Sequence, residues 1–190
     1  MRRQPGSWKE ELESQRSSKD HWFKTGHDSP VPWDLREKFG RIEYFPPDDA
    51  FRLALRLARN PERQIVTMTL STGGPRRYVK FGYFEFPVGG QTVRLWAYRP
   101  EHIEGQDYLF VPFRDATSGK ETYGAGRYLD LPFTATDEYT LDFNQAYNPY
   151  CAYNDAFSCP IPPVENWLKV PIRAGEKTFA LKPDVQLPEE

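Results

Sequence analysis

Residues 76–98 read RRYVKFGYFEFPVGGQTVRLWAY, and this stretch decides the fold. Strand-forming sequence lies on both sides of the Gly89-Gly90 pair. Two glycines between strands are typical of a tight hairpin, because glycine adopts the positive φ angles that such a turn requires. The stretch therefore predicts two antiparallel strands, Arg76 to Val88 and Gln91 to Tyr98.

Strand patterns continue on both sides of this hairpin. From Phe51 to Ala58, large apolar residues alternate with Arg and Ala, which places one face on a core and the other in water. A helix is the alternative for this run, since Ala, Leu and Arg favour helices. We expect Asn60-Pro61 to end the strand. Further predicted strands are Ile65 to Leu70, Tyr108 to Phe113, Arg127 to Phe133 and Tyr139 to Asn144.

Many short strands separated by turn residues predict a mainly β protein, with a meander as the simplest topology. We expect an antiparallel barrel or sandwich of about 8–10 short strands. The chain has 13 Phe, 11 Tyr and 5 Trp residues, which are bulky enough to fill such an interior.

One helix is predicted near the start of the chain, from Ser7 to Lys24. Ser7 and Glu10 have the spacing of a capping box, and Gly26 with the following prolines ends the helix. We expect residues 1–40 to form a helical arm packed on the body. Residues 41–190 are expected to form a single antiparallel β domain with a loosely held tail after residue 182.

The composition excludes several classes of function. Lys and Arg total 25 against 27 Asp and Glu, so the formal charge of −2 predicts no attraction to nucleic acid or to an anionic membrane. No run is apolar enough for a membrane-spanning helix, and the first residues lack the apolar core of a signal peptide. The expected location is the cytoplasm.

Two cysteines are too few for a disulfide framework or for a zinc site of four ligands. We expect Cys151 and Cys159 to be buried thiols, with a local disulfide or redox pair as the alternative. No motif indicates a metal or another cofactor. A hydrolase of the Ser-His or Cys-His type needs an imidazole, yet the histidines, His21, His27 and His102, lie outside the polar segment described next.

Residues 109–159 are unusually dense in polar, aromatic, Gly and Pro residues. Buried polar groups need hydrogen-bond partners, so this density predicts a built polar site. Gly124 and Gly126 are expected to turn the chain, because the nucleotide fingerprint would require a third glycine and a following helix. Arg127 could grip an anionic ligand with its planar guanidinium, or form an internal ion pair with Asp115, Asp130 or Asp142.

The candidate residues fall into two groups. Asp142 and Glu165 are the predicted general acid or base, with Tyr123 assisting. The rigid proline-rich run before Glu165 could hold its carboxylate at a pocket mouth. The predicted ligand-binding residues are Arg127, Asp115, Asn144, Tyr147 and Asn148.

Several long runs carry a resemblance to a known family. They are LFVPFRDATSGKETYGAGRYLDL, LDFNQAYNPYCAY, CPIPPVENWL and IRAGEK, preceded by KDHWFK, SPVPW and RIEYFPPDDAFR. From about Lys19 to Lys177 the chain resembles the bacterial and archaeal proteins called domain of unknown function 1684. The resemblance implies a self-contained domain, and it brings no activity with it.

Three functions remain open at this point. The protein could be an enzyme acting on a small polar or anionic metabolite, oriented by Arg127. It could instead be a binding module that holds such a ligand in an aromatic-lined cavity. In the third alternative the polar groups satisfy one another in a purely structural network. The sequence does not indicate a protein partner.

Overall fold

The computed structural model describes residues 7–101 and 107–179. It begins with helix α1, Trp8–Thr25, which buries Leu12 and Phe23. The Ser7 hydroxyl accepts a hydrogen bond from the Glu10 N–H, and the Glu10 carboxylate accepts one from the Ser7 N–H at 2.8 Å. The predicted capping box is therefore confirmed. The tail after residue 182 and His102 lie outside the described residues.

The described residues form seven strands in two antiparallel sheets, fewer than the eight to ten strands expected. Their bounds are β1 Arg52–Arg56, β2 Ala58–Thr69, β3 Pro75–Val88, β4 Gln91–Pro100, β5 Tyr108–Phe113, β6 Arg127–Pro132 and β7 Glu138–Asp142. Strands β2 to β6 pair in chain order, which is the predicted meander, and β1 pairs with β7. The mainly β antiparallel prediction is confirmed. Neither sheet closes on itself within the described residues, so the arrangement is sandwich-like and not a barrel.

The hairpin around Gly89-Gly90 is formed as predicted. Val88 pairs with Gln91, and the two glycines between them have positive φ angles of 57° and 76°. Most of the run from Phe51 to Ala58 is strand and not α-helix: Arg52–Arg56 forms β1, Phe51 ends a 3-10 turn, and Ala58 begins β2. Strand pairing with β7 outweighs the helix preference of its Ala, Leu and Arg residues.

Several predicted strand ends differ from the structure, and two of the differences have a clear physical reason. Strand β2 continues through Asn60-Pro61, because it is the edge strand of its sheet and the register shifts between Arg59 and Gln64. A proline lacks only the N–H donor, which an edge strand can leave outside the ladder. The strand predicted to end at Asn144 ends at Asp142, and the following residues form a 3-10 turn.

Three apolar clusters hold the fold together. The central cluster lies between the two sheets, where the rings of Phe84 and Tyr139 meet edge to face with 5.6 Å between centroids. The second cluster lies under α1, where Phe23 packs with Phe39 and Tyr153. The third cluster, on the large sheet, comprises Met68, Tyr78, Tyr98, Phe110 and Tyr128.

In the described part of the chain, no helix has the length and the apolar character needed to cross a membrane.

Candidate functional site

Arg127, the predicted ligand anchor, is completely buried. Its Nη2 donates to the Asp115 carboxylate at 2.9 Å and to the Ile172 carbonyl at 2.8 Å. Its Nη1 donates to the carbonyls of Ala174 and Glu176. Burial lowers the pKa of the guanidinium, and the charge of Asp115 opposes that shift. These contacts favour an internal ion pair over a ligand-binding role for Arg127, because groups of the chain itself accept hydrogen bonds from both terminal nitrogens.

Asp115, a second predicted binding residue, belongs to the same network. Its Oδ1 accepts from the N–H and the hydroxyl of Thr117, at 2.8 and 2.6 Å, and from the Ile172 N–H at 3.2 Å. The pair therefore joins the loop after β5 to residues 172–176. Arg127 and Asp115 come together, as one sequence alternative proposed, in a buried network that engages both terminal nitrogens of Arg127 and leaves its Nε without a partner among the described residues.

Asp142 and Asn144 form another polar group at the end of β7. The Asp142 Oδ1 accepts from the Asn144 backbone N–H at 2.9 Å and from its side-chain amide at 2.8 Å. The same amide group exchanges two hydrogen bonds with the backbone of Asp48. Arg52 lies 3.6 Å from the Asp142 carboxylate. This geometry ends the strand and holds the segment before β1.

Glu165 and Tyr123, the other two predicted acid–base residues, have different partners. The Glu165 Oε1 accepts from Lys80 Nζ at 2.7 Å and from the Tyr98 hydroxyl at 2.8 Å. The Tyr123 hydroxyl lies 3.7 Å from the Cys151 Sγ. Among the described residues, Glu165, Tyr123 and Asp142 share no hydrogen-bond partner. The contacts do not assemble them into one catalytic group.

Glu176 is a buried carboxylate that was not among the predicted site residues. It lies at the centre of a further polar group. Its Oε1 accepts from Lys19 Nζ of α1 at 2.6 Å. Its Oε2 accepts from the Asn148 N–H and from the Tyr153 hydroxyl, each at 2.7 Å. Burial, together with this negative charge, raises the pKa of Tyr153 and keeps its hydroxyl protonated. Glu176 thus connects α1 to the loop that carries the predicted residues Tyr147 and Asn148.

No local pattern marks Glu176 as a buried residue. It stands in the run IRAGEK, which contributed only to the family resemblance. Its partner Lys19 is 157 positions away. The spacing of residues along the sequence therefore does not predict this contact.

Helix α1 lies over Glu176 and leaves a cavity of about 190 Å³ beneath it, which we name the α1 cleft. Two of the predicted binding residues, Asn144 and Tyr147, line this cavity. The complete lining consists of Leu12, Gln15, Arg16, Lys19, Tyr44, Asn144, Gln145, Tyr147 and Glu176.

Arg16 and Tyr44 line the α1 cleft, and each has one buried polar atom without a hydrogen-bond partner among the described residues. The Arg16 Nη1 and Nη2 donate to the carbonyls of Phe45 and Asn144, each at 3.1 Å, and the guanidinium lies 4.3 Å from the centroid of the Tyr44 ring. Within residues 7–101 and 107–179, the buried Arg16 Nε and Tyr44 Oη find no hydrogen-bond partner. Burial, followed by the charge of Glu176 and the nearness of its carboxylate to the Tyr44 hydroxyl, raises the pKa of Tyr44, so its hydroxyl remains a donor. Unpaired buried polar atoms are rare, and a bound water, ion or ligand is one explanation for them.

A larger open groove of about 530 Å³ lies over β2, β3 and β4. It contains none of the predicted site residues. Two of its cations are already paired, Arg59 with Asp137 at 2.8 Å and Lys80 with Glu165 at 2.7 Å. The α1 cleft is therefore the stronger candidate, because it combines predicted residues with unsatisfied donors.

The described residues contain no group of three or more His, Cys, Asp or Glu side chains that could hold a metal ion. Cys151 and Cys159 are both buried, and neither belongs to a disulfide.

The sequence matches the family model for a protein of unknown function, DUF1684, over residues 37–177. The chain is also similar to the solution NMR structure of the uncharacterised protein from gene locus rrnAC0354 of Haloarcula marismortui, at 38% identity and a TM-score of 0.69. That similarity covers 90% of this chain and 94% of that chain. None of the curated proteins matches the sequence. The family match includes Glu176 and Tyr44 and begins after α1.

Proposed function

Because the chain belongs to the DUF1684 family, whose function is unknown, we propose a function from the geometry of the α1 cleft. The cleft binds a small metabolite that carries a carboxylate, and the protein acts as a binding module. One observation carries this proposal: among the described residues, the buried Arg16 Nε and Tyr44 hydroxyl have no hydrogen-bond partner, and both residues line the cleft.

The donors of the α1 cleft select the chemistry of the ligand. Arg16 supplies a charged N–H, Tyr44 supplies a hydroxyl, and the Lys19 ammonium has three donors. The Glu176 carboxylate engages Lys19 at 2.6 Å, which leaves the ammonium further donors for a ligand. Charged donors make their strongest hydrogen bonds to ionised oxygens, so a carboxylate matches this wall of the cavity.

The volume of the α1 cleft is large enough for a small molecule. About 190 Å³ exceeds the roughly 150 Å³ of an engineered cavity that accommodates benzene. The Tyr147 ring, with Lys19 Nζ 5.0 Å from its centroid, supplies an apolar wall for the carbon skeleton. A carboxylic acid with a short chain or a single ring fits this volume.

The hydrogen bonds of Glu176 favour binding over catalysis. Glu176 is the only carboxylate among the described residues that line the α1 cleft. Both of its oxygens already accept hydrogen bonds, from Lys19 on one side and from Asn148 and Tyr153 on the other. A general base needs an oxygen that can reach the proton of a substrate. The carboxylate instead holds the cavity walls together.

The test is a thermal-shift and calorimetric titration of the purified protein with small mono- and dicarboxylates, after native mass spectrometry for any ligand that copurifies. A ligand that binds only the native state raises the melting midpoint. Tyr44→Phe removes one unpaired buried hydroxyl, so it should leave the free protein equally or more stable and weaken binding about fivefold. Arg16→Met should weaken binding about tenfold or more, since it removes a charged donor.

Arg63→Met is the matched control, because Arg63 is exposed on β2 and does not line the α1 cleft. It should leave the affinity unchanged. Unchanged affinity in Tyr44→Phe, or no melting shift with any carboxylate, would reject the proposal in favour of a purely structural network around Glu176.

A further inference from the structure

Cys151 and Cys159 lie side by side beneath the surface, at the two ends of a short loop. The Cys151 N–H donates to the Cys159 Sγ at 3.3 Å, and the two thiols are within hydrogen-bonding reach of each other. Their exposed fractions are 4% and 9%. The loop between them is open to solvent at Asp155 and Ala156. Two thiols in this arrangement need little movement to meet.

We propose that this pair is a redox modification site, at which a peroxide converts Cys151 and Cys159 into an intramolecular disulfide that a small dithiol reverses. The two thiols lie outside the α1 cleft, whose lining includes neither cysteine.

The chemistry balances with hydrogen peroxide as the only oxidant. The Cys151 thiolate attacks one peroxide oxygen, the O–O bond breaks, and the released hydroxide takes a proton to form water. Cys151 is then a sulfenic acid, oxidised by two electrons. The Cys159 sulfur attacks the Cys151 sulfur, the S–O bond breaks, and the hydroxyl leaves with the Cys159 proton as a second water.

Tyr123 distinguishes the two sulfur atoms. Its hydroxyl lies 3.7 Å from the Cys151 Sγ. Burial raises the pKa of Tyr123, so the phenol keeps its proton and can donate it to a thiolate on Cys151. The contact with Cys151 raises the pKa of Cys159, which therefore remains a thiol until it resolves the intermediate. Cys151 is the attacking residue and Tyr123 is a positioning residue.

The backbone around Cys159 already holds it in place. Its N–H donates to the Ser71 hydroxyl at 3.0 Å, and its carbonyl accepts from the Ser71 N–H at 2.8 Å. Ser71 lies two residues after the end of β2 at Thr69. The disulfide would tie the turn at residues 150–152 to this end of the large sheet, so the oxidised protein should melt at a higher temperature than the reduced protein.

The experiment treats the native wild-type chain with hydrogen peroxide and follows intact mass and thiol content. The expected product is a monomer that has lost two hydrogen atoms, with a peptide map that links Cys151 to Cys159 and complete recovery by dithiothreitol. Thiols that stay unreacted in the native protein, while the urea-unfolded chain is oxidised, would overturn the proposal. Sulfinic acids or disulfide-linked dimers as the main product would overturn it as well.

Single variants test the order of the steps. Cys159→Ser should stop at a sulfenic acid on Cys151 that dimedone traps, whereas Cys151→Ser should leave Cys159 unmodified. Tyr123→Phe should slow disulfide formation about tenfold through loss of one hydrogen bond to a charged sulfur. Tyr150→Phe is the matched control, because the Tyr150 ring packs on Phe157. Equal rates in the two Tyr variants would overturn the part assigned to Tyr123, and dimedone on Cys159 would overturn the assigned order.

Discussion

Arg127 and Asp115 form a fully buried ion pair, with side chains 0% and 1% exposed. Such a pair contributes little relative to a well-packed apolar pair of the same volume, but removal of one partner leaves an uncompensated buried charge. In this protein the guanidinium also binds backbone carbonyls of residues 172–176. At the scale of single residues, the pair is therefore a structural requirement.

The first prediction concerns the stability of Arg127 variants. Arg127→Met should lower the free energy of unfolding by about 3–5 kcal/mol, because it leaves the Asp115 carboxylate buried without its countercharge. Arg127→Lys keeps the charge but loses the fork that reaches both Asp115 and the carbonyls, so we expect a loss of about 2 kcal/mol. Urea unfolding measures both variants.

Arg173→Met is the control for this series. Arg173 pairs with Glu121 in an exposed ion pair, with side chains 57% and 39% exposed. Exposed pairs contribute about 0–1 kcal/mol, so the variant should unfold close to the wild type. Equal stability of Arg127→Met and Arg173→Met would refute the structural role.

The second prediction concerns the pH dependence of stability at Asp20. Its Oδ1 accepts from the Ile42 N–H at 2.9 Å, and burial raises its pKa above the ordinary value of 3.8. A raised folded pKa means that the native state holds the proton to higher pH. The associated stability is present below the unfolded pKa and is lost as pH rises through the folded pKa.

Asp20→Asn keeps the acceptor oxygen and removes the charge. The variant should gain stability relative to the wild type as pH rises from 3.8, the ordinary pKa, through the raised folded pKa of Asp20, and urea unfolding at several pH values measures the difference. A difference between Asp20→Asn and the wild type that is constant with pH would contradict the prediction.

At the scale of elements, strand β6 depends on the turn that precedes it. Gly126, immediately before β6, has a φ of 106°, and a Cβ there would lie 2.5 Å from the Phe113 carbonyl and 2.9 Å from Pro162. Gly124 has neither restriction, since a Cβ would find its nearest atom 3.6 Å away, on Gly119. The expected turn therefore depends on Gly126 far more than on Gly124.

The third prediction compares Ala at these two positions. Gly126→Ala should lower the free energy of unfolding by about 3 kcal/mol, because the backbone must leave a conformation that L-residues rarely adopt. Gly124→Ala should change it by less than about 1 kcal/mol. Thermal unfolding of both variants measures the contrast, and a larger loss in Gly124→Ala would count against the described turn.

At the scale of the whole molecule, α1 and the sheets depend on each other. Isolated helices of this length are marginal in water, and α1 buries only two of its side chains among the described residues. Phe23 is completely buried against Tyr153, with 4.9 Å between ring centroids, and Lys19 binds Glu176. The helix and the body should therefore unfold together.

The fourth prediction is one cooperative transition. Far-ultraviolet circular dichroism and tryptophan fluorescence should report the same urea midpoint. Phe23→Ala should lower that midpoint for both probes, at a cost of about 3–5 kcal/mol for the lost ring and the cavity. Trp33→Ala is the control, since Trp33 is 81% exposed and should matter by less than about 0.5 kcal/mol. A separate, earlier loss of helical signal would show that α1 is an independent arm.

The sequence by itself determined the features that arise between neighbouring residues. The capping box of α1 and the glycine hairpin between β3 and β4 depend on side chains and torsion angles within a few positions of each other. The period of two in β1 was sufficient to choose strand over helix. Each of these features can be predicted from local geometry alone.

The tertiary structure alone decided the edge position of Pro61, the hydrogen-bond partners of Arg127 and the existence of the α1 cleft. Pro61 is tolerated because β2 has a neighbouring strand on one side only in the part of the chain that the structure describes. The sequence left Arg127 between a ligand and a carboxylate, and the packing of residues 172–176 supplied its partners. Glu176 and Lys19 meet across 157 positions. Periodicity describes which face of an element is buried, whereas the partner of a buried charge depends on which distant segment packs against that face.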